Sequence, residues 1–159
     1  MASSPPDYRG KLRLLIMHVL EEGPKHGYAI MKELEKLIGH SPGAGAVYPH
    51  LRYLWSKGYV IFKEGVREGK KVKEYALTRK GVEYLNSRAE ELQHVLKLLD
   101  GFRELKDLGQ IRIWESLKEL LEIMPYLPDE GKAQVREAID SFVSEINRII
   151  LEYRGRKNE

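Results

Sequence analysis

Residues 43–60 read GAGAVYPHLRYLWSKGYV. Val47, Leu51 and Leu54 recur at spacings of four and three, which places them on one side of an α-helix. Pro49 falls between them and removes one backbone hydrogen bond, to the carbonyl near Gly45. Gly58 then ends the helical pattern, and a strand-like run begins. A helix over about 44–57 is expected, buried through Val47, Leu51 and Leu54. Pro49, Arg52, Tyr53 and Ser56 then point outward, with Tyr48 and Trp55 on one flank and His50 on the other. Because Pro49 comes early and on the outer face, the buried side is unaffected and only the first turn bends.

Upstream, residues 10–22 form an apolar pattern that stops at Gly23-Pro24, and 26–38 carry Tyr28, Ile30, Met31, Leu34, Leu37 and Ile38 on a helical stripe. Downstream, YVIFKE and KVKEYAL read as two strands about a turn, VREGK. A long helix is expected to follow, capped at its start by Thr78, three residues before Gly81. His26 is expected to cap the second helix. Three short helices and then a hairpin is the order of a winged helix-turn-helix.

The remainder is helical. Val82, Leu85, Ala89, Leu92, Leu96 and Leu99 alternate steps of three and four, as do Ile113 to Leu127 and Val135 to Tyr153. Such narrow seams pack helix on helix. Breaks are expected near 101–110 and 125–131. An internal three-helix bundle would satisfy the seams, but three helices with such narrow stripes make a thin core alone. A second copy of the chain is the favoured partner, through Leu85, Leu92, Leu96, Leu99, Ile139, Phe142, Ile146 and Ile149. The expected fold is therefore mainly α with a small β-hairpin wing. A winged helix-turn-helix domain occupies 9–81, and a C-terminal helical dimerisation region of three helices occupies 82–155.

Composition narrows the function. The chain has 159 residues and no cysteine, which removes disulfides, thiolate catalysis and cysteine metal sites and suits a reducing cytoplasm. No apolar run is long enough to span a bilayer, and the N-terminus lacks a secretory core, so no membrane association is expected. The net charge of +3 is unevenly divided. Residues 1–85 hold 15 Lys/Arg and 9 Asp/Glu, against 12 and 15 in 86–159. A basic half beside an acidic half suits a polyanion partner for the first.

Catalytic templates fail. The five histidines form no HxH or HxxxH pair, GAGAV lacks the lysine of a phosphate loop, and there is no GxSxG elbow. No enzyme activity, metal or cofactor is expected. Nucleic-acid binding fits better. The outer face of the 44–57 helix offers Tyr48, Pro49, His50, Arg52 and Tyr53 to a major groove. Lys63, Arg67, Lys70, Lys71 and Lys73 make the 63–73 wing basic, suited to the phosphate backbone.

These segments resemble the PadR-like transcriptional regulators. The resemblance runs through LRLLIMHVLEEGPKHGYAI (12–30), GAVYPHLRYLWSKGYV (45–60) and EYALTRKG (74–81), with Gly27-Tyr28, Gly45 through Leu54, and Tyr75, Leu77, Thr78 and Gly81 at the family's positions. It implies a homodimeric repressor that reads a pseudo-palindromic operator in double-stranded DNA, with Tyr48 and Arg52 in contact with DNA. The chain departs from the family at Gly43, Ala44 and Ala46, where hydroxyl residues are common, and at Trp55, usually a charged position. Two other readings stand beside it. One is a winged-helix protein-interaction or dimerisation module. The other is a sensor whose small aromatic effector binds between C-terminal helices, near Trp55 and Trp114.

Overall fold

A computed structural model describes residues 11–155. In chain order the elements are α1 (Leu12–Val19), β1 (Lys25–His26), α2 (Gly27–Ile38), α3 (Ala44–Ser56), β2 (Val60–Arg67), β3 (Lys70–Leu77), α4 (Arg79–Ser87), α5 (Ala89–Asp107), α6 (Gln110–Ile123) and α7 (Asp129–Arg154). Short 3₁₀ turns follow α1 at Leu20–Glu22 and α6 at Met124–Tyr126. The residues form two compact units, up to Gln110 and from Ile111.

In the first unit α1 is the hub. Leu12, Leu14, Leu15, Ile16, Met17 and Val19 are all buried, in one cluster with Ile30, Leu34 and Ile38 of α2 and Val47, Leu51 and Leu54 of α3. Val60 and Tyr75 bring the sheet into this core, and Leu85, Leu92, Val95 and Leu99 add α4 and α5. The mainly helical fold with a small antiparallel wing is as expected.

The sheet has three strands in the order β1-β3-β2, one more than the sequence suggested. The added strand is only Lys25–His26, opposite Tyr75 and Glu74, too short to show a period of two. The hairpin is longer than read from sequence, because Val66 and Arg67 pair with Lys71 and Lys70 across a two-residue turn. Glu68 and Gly69 both have positive φ there, 51° and 73°, the form whose twist matches a hairpin.

Two glycines of this unit are fixed by close approach. A Cβ on Gly27 would lie 2.5 Å from the Tyr48 hydroxyl, and one on Gly81 would lie 2.0 Å from the Tyr59 carbonyl oxygen. The expected caps form: the Ala29 N–H donates to His26 Nδ1 at 3.0 Å and the Gly81 N–H to Thr78 Oγ1 at 3.0 Å.

The single long helix expected after Thr78 is instead two, α4 and α5, broken at Arg88 (φ −114°, ψ 18°). The Ser87 hydroxyl donates to the Tyr84 carbonyl at 2.6 Å, and the Arg88 N–H bonds back only three residues, to Leu85. A serine hydroxyl bonding back to a carbonyl in this way weakens and bends a helix, and here it coincides with the break. Conversely α5 runs straight through Gly101, and the break falls at Leu108-Gly109, where Gly109 has φ 103°.

In the second unit, α6 from Ile111 onward and all of α7 contain no buried residue. Ile113, Trp114 and Leu117 of α6 are exposed. So are Ile139, Phe142, Val143, Ile146, Ile149, Ile150 and Tyr153 of α7.

Candidate nucleic-acid interface

The quoted stretch forms α3 as one continuous helix, Ala44–Ser56, without the break a proline can cause. Gly43 (φ 74°) precedes it without any side-chain cap, and the Ala46 and Val47 N–H groups both close on the Gly43 carbonyl. Pro49 sits inside the helix and is exposed. Val47, Leu51 and Leu54 are fully buried. The opposite face holds Pro49, Arg52, Tyr53 and Ser56, all exposed, as the helical spacing required.

The flanks are more built than the sequence showed. On one side Arg13 of α1 donates from Nε to His50 Nδ1 at 3.3 Å, and its guanidinium lies 3.8 Å from the Tyr53 ring centroid. Lys57 approaches the same ring at 5.7 Å. Burial pushes the His50 imidazole pKa down, and the Arg13 charge pushes it further the same way. Arg13 was missed in the sequence. Its signal is that it is charged and exposed inside the otherwise apolar run LRLLIMHV.

On the other flank Tyr48 lays its phenol against Gly27, at the start of α2. Tyr75 is 7% exposed, and burial raises its phenol pKa; Tyr48 adds to the rise, while Arg52 opposes it. Trp55 packs on Phe62 with ring centroids 5.5 Å apart, and Phe62 meets Tyr75 at 5.8 Å. This row of rings ties the end of α3 to the root of the wing. Trp114 lies on α6, half-exposed, in the second unit.

The wing cations divide between the two faces of the hairpin. Register pairs Phe62 with Tyr75, Glu64 with Lys73 and Val66 with Lys71, so these share the face of the buried Tyr75. Lys63, Lys70 and Val72 belong to the other face, as does position 67. The side chain of Arg67 lies outside the described residues. Lys73 is partly engaged, with Nζ 4.0 Å from the Phe62 ring and 3.9 Å from a Glu64 oxygen.

Between the first turns of α2 and β3 runs an open groove of about 1040 Å³. Tyr28, Lys32 and Glu33 form one wall and Glu68 to Lys73 the other, with Tyr48 and Tyr75 between them. Of the residues expected to meet a second copy, Leu85, Leu92 and Leu99 are buried in the first unit's own core, and Leu96 packs against it. Ile139, Phe142, Ile146 and Ile149 on α7 are open. No set of three metal-ligating side chains occurs among the described residues. No helix among them is long and apolar enough to cross a membrane.

The chain is similar in sequence to known transcriptional regulators. Residues 16–87 match the model of the transcriptional regulator PadR-like family. The transcriptional regulator YqjI of Escherichia coli is 29% identical over 136 residues, 82% of this chain. The chain covers 64% of that relative's length, just under two thirds. A transcriptional regulator from Clostridium thermocellum of known structure is 26% identical and superposes with a TM-score of 0.50, over 60% of this chain and 95% of its own. A PadR family transcriptional regulator from Eggerthella lenta is 34% identical over 61% of this chain and 82% of its own, with a TM-score of 0.48.

Proposed function

From the premise that the chain belongs, through residues 16–87, to the PadR-like family of transcriptional regulators, we propose that it is a homodimeric, DNA-binding repressor. The observation that carries this reading is the two-sidedness of α3. Val47, Leu51 and Leu54 hold it to the core, while Arg52, Tyr53 and Ser56 stay exposed beside a lysine-bearing wing. A major groove admits one such helix, and arginine there donates two hydrogen bonds to a guanine edge. The wing lysines neutralise phosphates in any sequence, which provides affinity rather than choice.

The dimer accounts for α7. A 26-residue helix with Ile139, Phe142, Ile146 and Ile149 all exposed leaves a continuous apolar stripe, and a second copy would cover it. With Leu85, Leu92 and Leu99 taken up internally, the α7 residues make that contact. Two α3 helices related by the dimer axis would then read a pseudo-palindromic operator. Repression would follow from occupying it.

The test separates the two kinds of contact. Arg52→Ala should weaken specific binding about 5–150-fold, the equivalent of about 1–3 kcal/mol, and relax the sequence preference. Lys70→Gln with Lys71→Gln should weaken every duplex alike and flatten the salt dependence. Binding that ignores both changes would remove α3 and the wing from the interface. A steep salt slope on random duplex also distinguishes this function from a pure protein-interaction module, which should show none.

A further inference from the structure

We propose that Arg13 of α1 is a positioning residue for base reading: it fixes His50 of α3 as a hydrogen-bond donor, and so decides which base edges that side of the helix accepts. The proposal rests on the DNA-binding function above and adds to it a specificity determinant that lies outside both α3 and the wing.

The chemistry of the pair allows one arrangement. Arg13 donates from Nε to His50 Nδ1 at 3.3 Å. A guanidinium carries donors and no acceptor, so Nδ1 must be the bare nitrogen of a neutral imidazole. The ring proton therefore sits on Nε2, because the hydrogen bond made by one ring nitrogen sets the state of the other. Burial and the Arg13 charge both oppose protonation, which keeps the ring in this neutral form. Among the described residues none bonds Nε2, so its N–H is available to a partner outside the chain.

Arg13 is itself held at both ends. Leu12 and Leu14 beside it are buried, which anchors its backbone in α1. Its guanidinium lies 3.8 Å from the ring centroid of Tyr53, a cation–π contact one turn along α3 from His50. One planar group thus spans His50 and Tyr53. The imidazole cannot move its proton to Nδ1 without losing the Arg13 bond and setting an N–H against a charged donor. A lysine could supply the charge but not this flat, two-point fit.

The consequence is a choice among bases. In a major groove the Nε2–H matches guanine N7 and O6, adenine N7 and thymine O4, all of which accept. Cytosine presents only its N4 donor there, and two donors repel. His50 should therefore exclude cytosine at the base it meets. An imidazole free to carry its proton on Nδ1 would instead accept from that N4 group.

The full chain is tested with Arg13→Leu, an exposed position whose folding is checked by circular dichroism. In the free wild-type chain at neutral pH, the ¹⁵N chemical shifts of the His50 ring should show a bare Nδ1 and a protonated Nε2. In Arg13→Leu both tautomers should appear. Duplexes selected from a random pool by the wild type should be poor in cytosine at one position of each half-site. Arg13→Leu should readmit it about fivefold, the worth of about one hydrogen bond, with the slope of log K against log salt unchanged. His50→Gln, whose amide both donates and accepts, should readmit cytosine likewise, and adding Arg13→Leu to it should change nothing further at that position. A wild-type ring protonated at Nδ1 would overturn the proposal. So would an unchanged base preference in Arg13→Leu, or a slope reduced by about 0.9, the mark of a phosphate ligand. Each of these results leaves base reading by Arg52 intact, whereas a wild-type pool with no enriched site would overturn both.

Discussion

Replacing Gly81 with alanine should destabilise the first unit, although alanine is the better helix former. Gly81 lies in the first turn of α4, where an alanine gains about 1 kcal/mol over glycine if nothing else changes. Its Cβ, however, would stand 2.0 Å from the Tyr59 carbonyl oxygen, which is backbone and cannot rotate away. Real Cβ atoms essentially never approach within 3.0 Å, so α4 and the start of the wing must part by at least 1 Å. That carbonyl accepts from the Thr78 N–H at 3.0 Å, while the single hydrogen of the Thr78 hydroxyl goes to the nearer Gly58 carbonyl at 2.6 Å. Losing the N–H bond costs about 1 kcal/mol, and the forced repacking typically about 1–3 kcal/mol more. Set against the propensity gain of about 1 kcal/mol, the net loss is about 1–3 kcal/mol. Gly101→Ala is the internal control, because α5 passes through Gly101 and open space surrounds its Cβ position. That variant should gain about 1 kcal/mol. Urea unfolding followed by circular dichroism at one protein concentration reads both as shifts of the midpoint. A Gly81→Ala midpoint at or above wild type would refute the close approach of Tyr59.

Three further outcomes are expected. Thr78→Ala should cost about 1–2 kcal/mol, because the hydroxyl caps α4 and also donates to the Gly58 carbonyl at 2.6 Å, and Thr78→Ser should recover most of it in the same urea assay. His50 binds its proton less readily in the folded chain, so its contribution is present above the ordinary histidine value of about 6.5 and is lost as pH falls through the lower folded value. Stability measured against pH should therefore decline more steeply on acidification in wild type than in His50→Gln. Glu91 is held below the ordinary glutamate range first by its hydrogen bond from Lys11, with Arg88 helping and burial opposing. Its contribution is present above about pH 4.3 and lost below the depressed value, so Glu91→Gln should lose stability at neutral pH and converge with wild type in acid.

What the sequence made legible, and what it hid, follows from the range of the forces involved. The α3 pattern was readable because burial of Val47, Leu51 and Leu54 obeys a local period, and the same logic located α1, α2 and both wing strands. The caps of Thr78 and His26 were readable because a cap acts within three residues. Arg13 was not, since it meets His50 and Tyr53 across 37 and 40 positions of chain and only packing brings them together. The break at Arg88 escaped because the seam through Leu85 and Leu92 continues across it, while the backbone turns beside a serine whose hydroxyl bonds back to Tyr84. The seams also did not reveal their partners: Leu85 and Leu99 look like Ile139 and Ile149 by spacing, yet the first pair is buried within the chain and the second is open. Wing lysines counted as one cluster fall on alternate faces because strand side chains alternate.

The most direct measurement is selection of duplexes from a random pool by the pure chain, followed by sequencing. Recognition by two α3 helices should enrich an inverted repeat with half-site centres about 10 base pairs apart or a multiple of that, and Arg52→Ala should lose the enrichment. A pool that emerges without enrichment, or one that Arg52→Ala enriches equally, would contradict sequence reading by α3.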